Sequence, residues 1–310
     1  MSYSCKLCYS CNATRIDTID AKSKKPLPIS LCNNCGLVQQ TEIPTNENLK
    51  IYYSHDYRKD YKDTYFPKLK HVYRAGLIAL GRINFLQKKL PNNRKLTLLD
   101  IGAGGGEFVY LASKRGFDAI GIEPDEEYSS FSKQEYGVDI KTIMLGELVP
   151  TSADVVTLFH VYEHMNNPDA VIRKIAQVLS NDGFLFVEVP NIIQKDASPH
   201  NIFLKAHLFY YSRYTLIAMA SKYFEVIEVE DKGNLKILFK KRKYFLNKNI
   251  MPKKEDVELI KTRIAQKGWF EYLFIGGGLL KPCKKIKQLY IEKQIGNTSP
   301  KKLLDSLIRD

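Results

Sequence analysis

The chain has 310 residues, of which 44% are hydrophobic, and its formal net charge is +13 at pH 7. A chain of this length and composition can bury one sizeable α/β core together with a smaller module. It contains no run of 18 or more apolar residues and no signal-peptide pattern at its start, so we expect a cytoplasmic protein without a transmembrane segment.

The excess positive charge is confined to the last quarter of the chain. Residues 232–310 contain 20 Lys and Arg against 7 Asp and Glu, whereas residues 1–231 contain 27 of each sign. A basic tail of this kind can bind RNA, an acidic membrane surface or a phosphorylated substrate, or it can be a solvated helical surface. These alternatives stay open, and the net charge says little about the chemistry of the rest of the chain.

Four cysteines near the N-terminus have the spacing of a zinc site. Cys5 and Cys8 form one C-x-x-C pair, and Cys32 and Cys35 form a second. Each pair can present two thiolates from one tight knuckle, and two knuckles complete the tetrahedron that Zn²⁺ prefers. Free thiols and a redox-active pair are the alternatives to a zinc site, whereas disulfides are disfavoured in the reducing cytosol. Because the protein supplies all four ligands, we predict a structural zinc ion in a ribbon module over residues 1–45.

Cys11 leaves the exact ligand set open. It extends the first pair to C-x2-C-x2-C, which begins some iron–sulfur sites, but Arg15 stands where the fourth cysteine would be. Cys11 could therefore replace Cys8 or be a spare thiol. Gly36, directly after Cys35, is expected to supply the positive φ that such a knuckle needs.

Residues 46–93 are predicted to form a tyrosine-rich linker and a helix, and residues 94–243 an α/β domain. Alternating strands and helices predict a parallel sheet covered on both faces. The predicted strands are 96–102, 118–124, 154–160 and 184–190, with a weak one at 140–144; the predicted helices are 106–115, 126–136 and 168–179. Two β runs, 224–230 and 235–241, are joined by a short turn and predict a terminal antiparallel hairpin. The remaining residues, 244–310, are predicted to be a basic helical extension.

The stretch "LLDIGAGGGEF" leaves a strand and enters a helix. Gly102, Gly104 and Gly106 remove Cβ atoms from the approach of a ligand, and Asp100 ends the strand. Glu123 ends the next strand, where a carboxylate can accept hydrogen bonds from ribose hydroxyls. The pattern favours an S-adenosylmethionine site, with a dinucleotide oxidoreductase or a non-catalytic Rossmann domain as alternatives.

From residue 4 to about 242 the chain resembles class I methyltransferases with an N-terminal zinc module. It is similar in particular to sugar C-methyltransferases that act on nucleotide-linked deoxy-ketosugars. The motifs that carry this resemblance are "CKLC…LCNNCGLVQ", "LLDIGAGGGEF", "HVYEHMNNPDAVIRKIAQVLSNDGFLFVEVPN" and "FLKAHLFYYSRYTL". The resemblance implies a Rossmann-like sheet that ends in an antiparallel hairpin, S-adenosylmethionine as cofactor and a structural zinc ion.

The resemblance also implies catalytic residues. His207 matches the proposed general base of those sugar enzymes, His164 matches an active-site histidine, and Tyr57 or Tyr61 matches a tyrosine from the linker. The chain departs from the family at 204–206, where Leu-Lys-Ala replaces the usual Tyr-His-Glu before the base. At the place of the family's long C-terminal domain, the sequence has the shorter basic tail. Both departures weaken the expectation of C-methylation and leave methyl transfer itself intact.

His160 and His164 are four residues apart with Glu163 between them, a spacing that is compatible with metal binding. A Glu-His pair at this position is common in the class I methyltransferases that the chain resembles, where it binds no metal. We therefore predict that His160 lines the cofactor and that His164 is a second candidate for catalysis.

The first functional hypothesis is a methyltransferase for a small molecule, a sugar in a nucleotide sugar or a surface polysaccharide, methylated at oxygen or carbon. A hydroxyl acceptor needs only one base, which His207 or His164 could supply. The alternative is an RNA methyltransferase that binds RNA through the zinc ribbon and the basic tail. Against it, residues 159–162 lack the Asn/Asp-Pro-Pro-aromatic signature of exocyclic-amine methylation. A non-enzymatic scaffold is disfavoured by the intact cofactor motif.

Overall fold

The computed structural model of the protein describes residues 3–45, 47, 67–149 and 151–309. The chain divides into two compact units. The first unit is Met1–Leu49 with Leu158–Lys281, and the second is Lys50–Thr157 with Pro282–Asp310. Each unit is therefore built from two separate stretches of sequence.

Eleven strands occur within the described residues. They are β1 (Ala13–Ile16), β2 (Ile29–Cys32), β3 (Val38–Gln40), β4 (Thr97–Ile101), β5 (Asp118–Ile122), β6 (Ile140–Lys141), β7 (Ala153–Phe159), β8 (Leu179–Val189), β9 (Phe209–Tyr210), β10 (Phe224–Glu230) and β11 (Leu235–Lys241). The larger sheet has the strand order β10-β11-β8-β7-β4-β5-β6. Strands β4, β5 and β6 pair in parallel, whereas β10, β11 and β8 pair antiparallel. The predicted Rossmann-like methyltransferase sheet with a terminal antiparallel hairpin is confirmed.

Eight α-helices occur in the same described ranges. They are α1 (Leu69–Lys89), α2 (Glu107–Lys114), α3 (Glu126–Tyr136), α4 (Pro168–Val178), α5 (Arg213–Ala220), α6 (Lys254–Ala265), α7 (Lys281–Lys293) and α8 (Pro300–Arg309). The C-terminal region is helical, as predicted. None of the helices that the structure describes is long and apolar enough to cross a membrane.

The last helix of the second unit, α8, packs against α1. Leu304 is fully buried, and its Cδ2 atom lies 2.6 Å from where a Cβ on Gly76 would be, so α8 packs directly on the backbone of α1. The Tyr110 hydroxyl on α2 donates to Asp305 Oδ1 at 2.5 Å. The end of the chain is thus part of the unit that contains the glycine loop.

The first unit contains a four-stranded antiparallel sheet with the order β1-β2-β3-β9. Strands β1, β2 and β3 come from the cysteine module, whereas β9 lies in the "FLKAHLFYYS" segment and pairs Tyr210 with Val38. Ile260 on α6 and Ile192 join the apolar core of this sheet. The cysteine module therefore shares one core with residues far along the chain.

Candidate functional site

The glycine loop adopts backbone conformations that a side chain would strain. Gly102, Gly104 and Gly106 have φ values of 75°, 53° and 86°. A Cβ on Gly106 would lie 2.6 Å from Ser132 Cβ, so this glycine permits close packing. At Gly104, by contrast, no atom lies within 4 Å of the added Cβ. The space above Gly104 is consistent with the approach of a ligand to the backbone.

Glu123 is bound to the same loop. Its Oε2 accepts a hydrogen bond from the Gly104 amide at 2.9 Å, and its Oε1 accepts one from the Asp125 amide at 3.1 Å. The carboxylate that follows the second strand of the larger sheet thus contacts the glycine loop, and its predicted contact with ribose hydroxyls stays a prediction. The side chain is half-buried and could turn toward ribose hydroxyls.

Asp100 lies at the end of β4 and is almost completely buried. Its Oδ1 accepts a hydrogen bond from the Thr157 hydroxyl at 2.6 Å. Burial raises the pKa of Asp100 to about 7, although the Thr157 hydrogen bond and Arg82 act in the opposite direction.

His160 follows β7 and has partners within the first unit. Its Nε2 lies 3.1 Å from Asn234 Nδ2 and 3.5 Å from Glu188 Oε1, and its Nδ1 lies 3.4 Å from Glu163 Oε1. Burial disfavours the charged ring, but the two carboxylates raise the pKa of His160 to about 9. Its φ of 57° is uncommon for a residue with a side chain. A role in cofactor binding stays a prediction.

Glu163 is the buried carboxylate of a histidine cluster, which we define as Glu163, His164 and His207. Both carboxylate oxygens are buried and accept no hydrogen bond of good geometry from the described residues. Burial favours the neutral acid, but the His160 ring and the His164 ring lower the pKa of Glu163 below its ordinary value. The cluster therefore contains an ionised carboxylate, whose negative charge can stabilise a protonated neighbouring imidazole.

His164 and His207 lie side by side in this cluster. Their ring centroids are 4.9 Å apart with the rings nearly perpendicular, and His164 Nε2 lies 4.0 Å from Glu163 Oε1. His164 Nδ1 lies 2.8 Å from the Ala206 carbonyl oxygen. Ligand atoms of all three residues lie within 4.8 Å of one another, a spacing that a metal ion could bridge. The two histidines that the sequence selected as catalytic candidates are thus neighbours.

Burial lowers the pKa of His207 to about 4, and the His164 ring acts in the same direction while Glu163 opposes it. His207 is therefore neutral at pH 7, and the same burial makes its ring a weaker base than an exposed imidazole. Its backbone is fixed from the cysteine module, because Gln40 Nε2 donates to the carbonyl oxygens of Lys205 and His207 at 2.7 and 2.8 Å. Gln40 was not predicted from the sequence, because no local signal marks it.

The four predicted zinc ligands do come together. The Sγ atoms of Cys5 and Cys35 are 3.5 Å apart, those of Cys8 and Cys32 are 3.4 Å apart, and all four lie within 4.8 Å. Four thiolates at about 2.3 Å from one Zn²⁺ would have similar mutual distances, so the arrangement fits this ion. Cys11 is exposed and outside the group.

Gly36 has a φ of 74°, as predicted for the second knuckle. In the first knuckle the left-handed position is taken by Tyr9, with a φ of 59°, rather than by a glycine.

The other predicted catalytic residues, Tyr57 and Tyr61, lie outside the residues that the structure describes.

A family model described as a methyltransferase domain matches residues 70–241, which is more than half of the chain. The chain belongs to this methyltransferase family. The prediction of a methyltransferase is thereby confirmed at the level of the family.

The sequences of the curated relatives align with only part of this methyltransferase. The ubiquinone biosynthesis O-methyltransferase of Pseudomonas entomophila is 29% identical over 118 residues, and that of Nitrosomonas europaea is 28% identical over 118 residues. Each alignment covers 36% of this chain and 50% of the relative. The chain therefore spans about half the length of the curated relatives that it matches.

Solved structures with a similar fold include two methyltransferases. The magnesium protoporphyrin IX methyltransferase from Synechocystis PCC 6803 is 13% identical with a TM-score of 0.49, covering 64% of this chain and all of that one. An S-adenosylmethionine-dependent methyltransferase from Mesorhizobium loti is 15% identical with a TM-score of 0.44, covering 51% of this chain and 96% of that one.

Proposed function

We propose that the protein transfers a methyl group from S-adenosylmethionine to a hydroxyl of a small molecule, with a sugar as the acceptor. The observation that carries the proposal is the histidine cluster, in which neutral His207 lies beside His164 and the buried Glu163 carboxylate. A hydroxyl must lose its proton as it attacks the methyl carbon, and a positioned neutral imidazole can accept that proton. The curated relatives are named O-methyltransferases, which supports transfer to oxygen.

Cofactor binding is assigned to the glycine loop of the second unit. The open space at Gly104 allows the loop amides to approach the methionine part of S-adenosylmethionine. Glu123 would accept hydrogen bonds from the ribose, and Asp100 would attract the ammonium group through water. The cofactor supplies the electrophilic methyl group, and the residues of the chain hold it and accept the proton.

Glu163 offers a substitute for the glutamate that position 206 lacks. Its carboxylate is in the same cluster as His207, although it comes from a different part of the chain. When His207 accepts a proton, a nearby carboxylate stabilises the imidazolium. The same chemistry that sugar methyltransferases place next to their base is therefore supplied here by another residue.

A sugar acceptor is supported by the two more selective motifs, "LCNNCGLVQ" and "FLKAHLFYYSRYTL". Strand β3 from the first motif pairs with β9 from the second, so the two motifs form one sheet. We also propose that Zn²⁺ binds Cys5, Cys8, Cys32 and Cys35, where it stabilises this sheet and takes no part in chemistry. Tyr57 and Tyr61 remain proposed contributors to the acceptor site.

The test is transfer of label from S-adenosylmethionine to fractions that contain nucleotide sugars, glycans or RNA. We expect the label in a sugar-containing fraction and at an oxygen. His207→Ala should lower kcat at least 100-fold while S-adenosylmethionine affinity, measured by calorimetry, changes little. His200→Ala is the matched control, because His200 is exposed and its ring packs on Trp269.

Label in RNA alone would favour the alternative, an RNA methyltransferase. Full activity of His207→Ala would remove this residue from the role of base. A role that is only structural would instead lower the melting temperature of the variant together with its activity.

A further inference from the structure

Helix α7 presents an apolar face to solvent. Ile286, Leu289 and Tyr290 are 68%, 44% and 66% exposed. Their spacing of three and four residues places them on one side of the helix. Large side chains at helical spacing usually mark the face that a helix buries, so the exposure of this face calls for a partner.

Lysines flank the apolar face on both sides. Lys285 and Lys287 are exposed, and each lies about 100° around the helix from Ile286. The single acidic residue of α7, Glu292, is engaged elsewhere: its carboxylate accepts two hydrogen bonds from Arg74 at 2.5 and 2.7 Å. Glu292 lies on the edge of the helix next to Leu289, so the ion pair holds that edge to α1. The face that remains outward presents Ile286, Tyr290 and Lys287.

The segment before α7 is also rich in exposed apolar side chains. Phe270, Phe274 and Leu280 are 72%, 64% and 60% exposed. It belongs to the part of the chain that contains all of the excess positive charge. The sequence left open whether the basic tail binds an acidic membrane surface or is a solvated helical surface, and exposed apolar side chains in such number favour an interaction surface.

We propose that α7 binds the surface of an anionic lipid bilayer. Ile286, Leu289 and Tyr290 enter the boundary between headgroups and acyl chains, and Lys285 and Lys287 contact anionic headgroups. A helix that lies in the membrane plane needs this combination of an apolar face and flanking lysines. RNA fits less well, because α7 has no arginine and its outward face is largely aliphatic. The proposal does not depend on the acceptor of the methyl group.

The experiment is flotation of the full chain with vesicles of phosphatidylcholine containing about one-third phosphatidylglycerol, compared with pure phosphatidylcholine. We expect binding to the anionic vesicles that weakens as salt is raised. Lys285→Gln with Lys287→Gln should weaken binding about thirtyfold. Ile286→Ser with Tyr290→Ser should weaken it at least tenfold. The control is Lys88→Gln with Lys133→Gln, which removes the same charge from exposed positions outside α7 and should bind as the parent does.

Failure of the parent chain to float with anionic vesicles would overturn the proposal. So would parent-like binding of the Ile286 and Tyr290 variant, because the site would then be a general polyanion surface. A dimer that dissociates on Ile286→Ser would identify a second copy as the occupant instead. Circular dichroism should be unchanged in all variants, since every substituted side chain is exposed.

Discussion

With the proposed contact to the ammonium group of S-adenosylmethionine, Asp100 would connect the protonation state of the protein to its affinity for the cofactor. An ionised carboxylate attracts the ammonium group of S-adenosylmethionine, whereas the neutral acid does not. Because burial raises the pKa of Asp100 to about 7, a large fraction of the protein carries the neutral acid below that pH.

We therefore expect S-adenosylmethionine affinity to rise severalfold between pH 5.5 and 7.5, with proton release on binding below pH 7. Calorimetry in buffers of different ionisation enthalpy measures both quantities. Asp100→Asn should bind weakly at every pH in this range. An affinity that is independent of pH in the parent protein would mean that Asp100 does not act through its charge.

The same pKa shift affects stability in the opposite direction. The folded protein holds the proton of Asp100 more tightly than the unfolded chain, whose aspartate has a pKa of 3.8. This contribution to the free energy of unfolding is complete below about pH 4 and is lost as pH rises through 7. Asp100 thus becomes competent for ligand binding over the range in which it ceases to stabilise the fold.

Helix α8 stabilises the second unit although it is the last element of the chain. Leu304 has no exposed surface and contacts the backbone of α1 at Gly76. Leu304→Ala should lower the free energy of unfolding by about 3 kcal/mol, because the surroundings cannot fill the cavity completely. Denaturation in urea measures the change, and Lys302→Ala on the exposed side of α8 is the control. A change below about 1 kcal/mol in Leu304→Ala would show that the contact contributes little.

The elements of the larger sheet were predictable because their signals are local. Strands β4, β5 and β7 are short buried apolar runs, and the glycine loop and Glu123 occur at fixed distances from them. The sequence predicted that strand β8 begins at 184, because Ser-Asn-Asp-Gly at 180–183 has the composition of a turn. In the structure the strand begins at Leu179 and includes these four residues.

The elements of the first unit were harder to predict because they depend on distant pairing. Strand β9 has two residues, and nothing in its own sequence indicates that it extends the sheet of the cysteine module. The hydrogen bonds from Gln40 to the His207 segment span 167 residues. The exposure of α7 was equally hidden, since a periodic apolar pattern predicts a buried face and cannot show that the partner is missing.

At the scale of the whole molecule, the cysteine module and the histidine cluster belong to one compact unit. The Asp20 carboxylate accepts a hydrogen bond from the Lys205 amide at 2.7 Å, and a Cβ on Gly36 would lie 2.7 Å from Ile260 on α6. Loss of zinc would therefore affect more than the module that binds it. From the sequence, the structural zinc ion was assigned to a ribbon module over residues 1–45 alone.

Chelation of zinc should accelerate amide hydrogen exchange in residues 201–212 and 254–265 as well as in 3–45. Exchange in 97–122 and 300–309, in the other unit, should change least. Mass spectrometry of peptides from chelated and zinc-loaded protein provides the measurement. Acceleration that is limited to 3–45 would show that the module unfolds without disturbing the rest of its unit.

The pairing of β3 with β9 has a consequence for synthesis on the ribosome. Strand β3 emerges early, but the segment that covers its edge lies 167 residues later at the Gln40–His207 contact. At about 5–20 residues per second, roughly 8–33 s pass before that segment exists. During this interval the nascent chain exposes an unpaired strand edge, which is a site for aggregation. Early coordination of zinc would hold the three finished strands together while their fourth neighbour is being made.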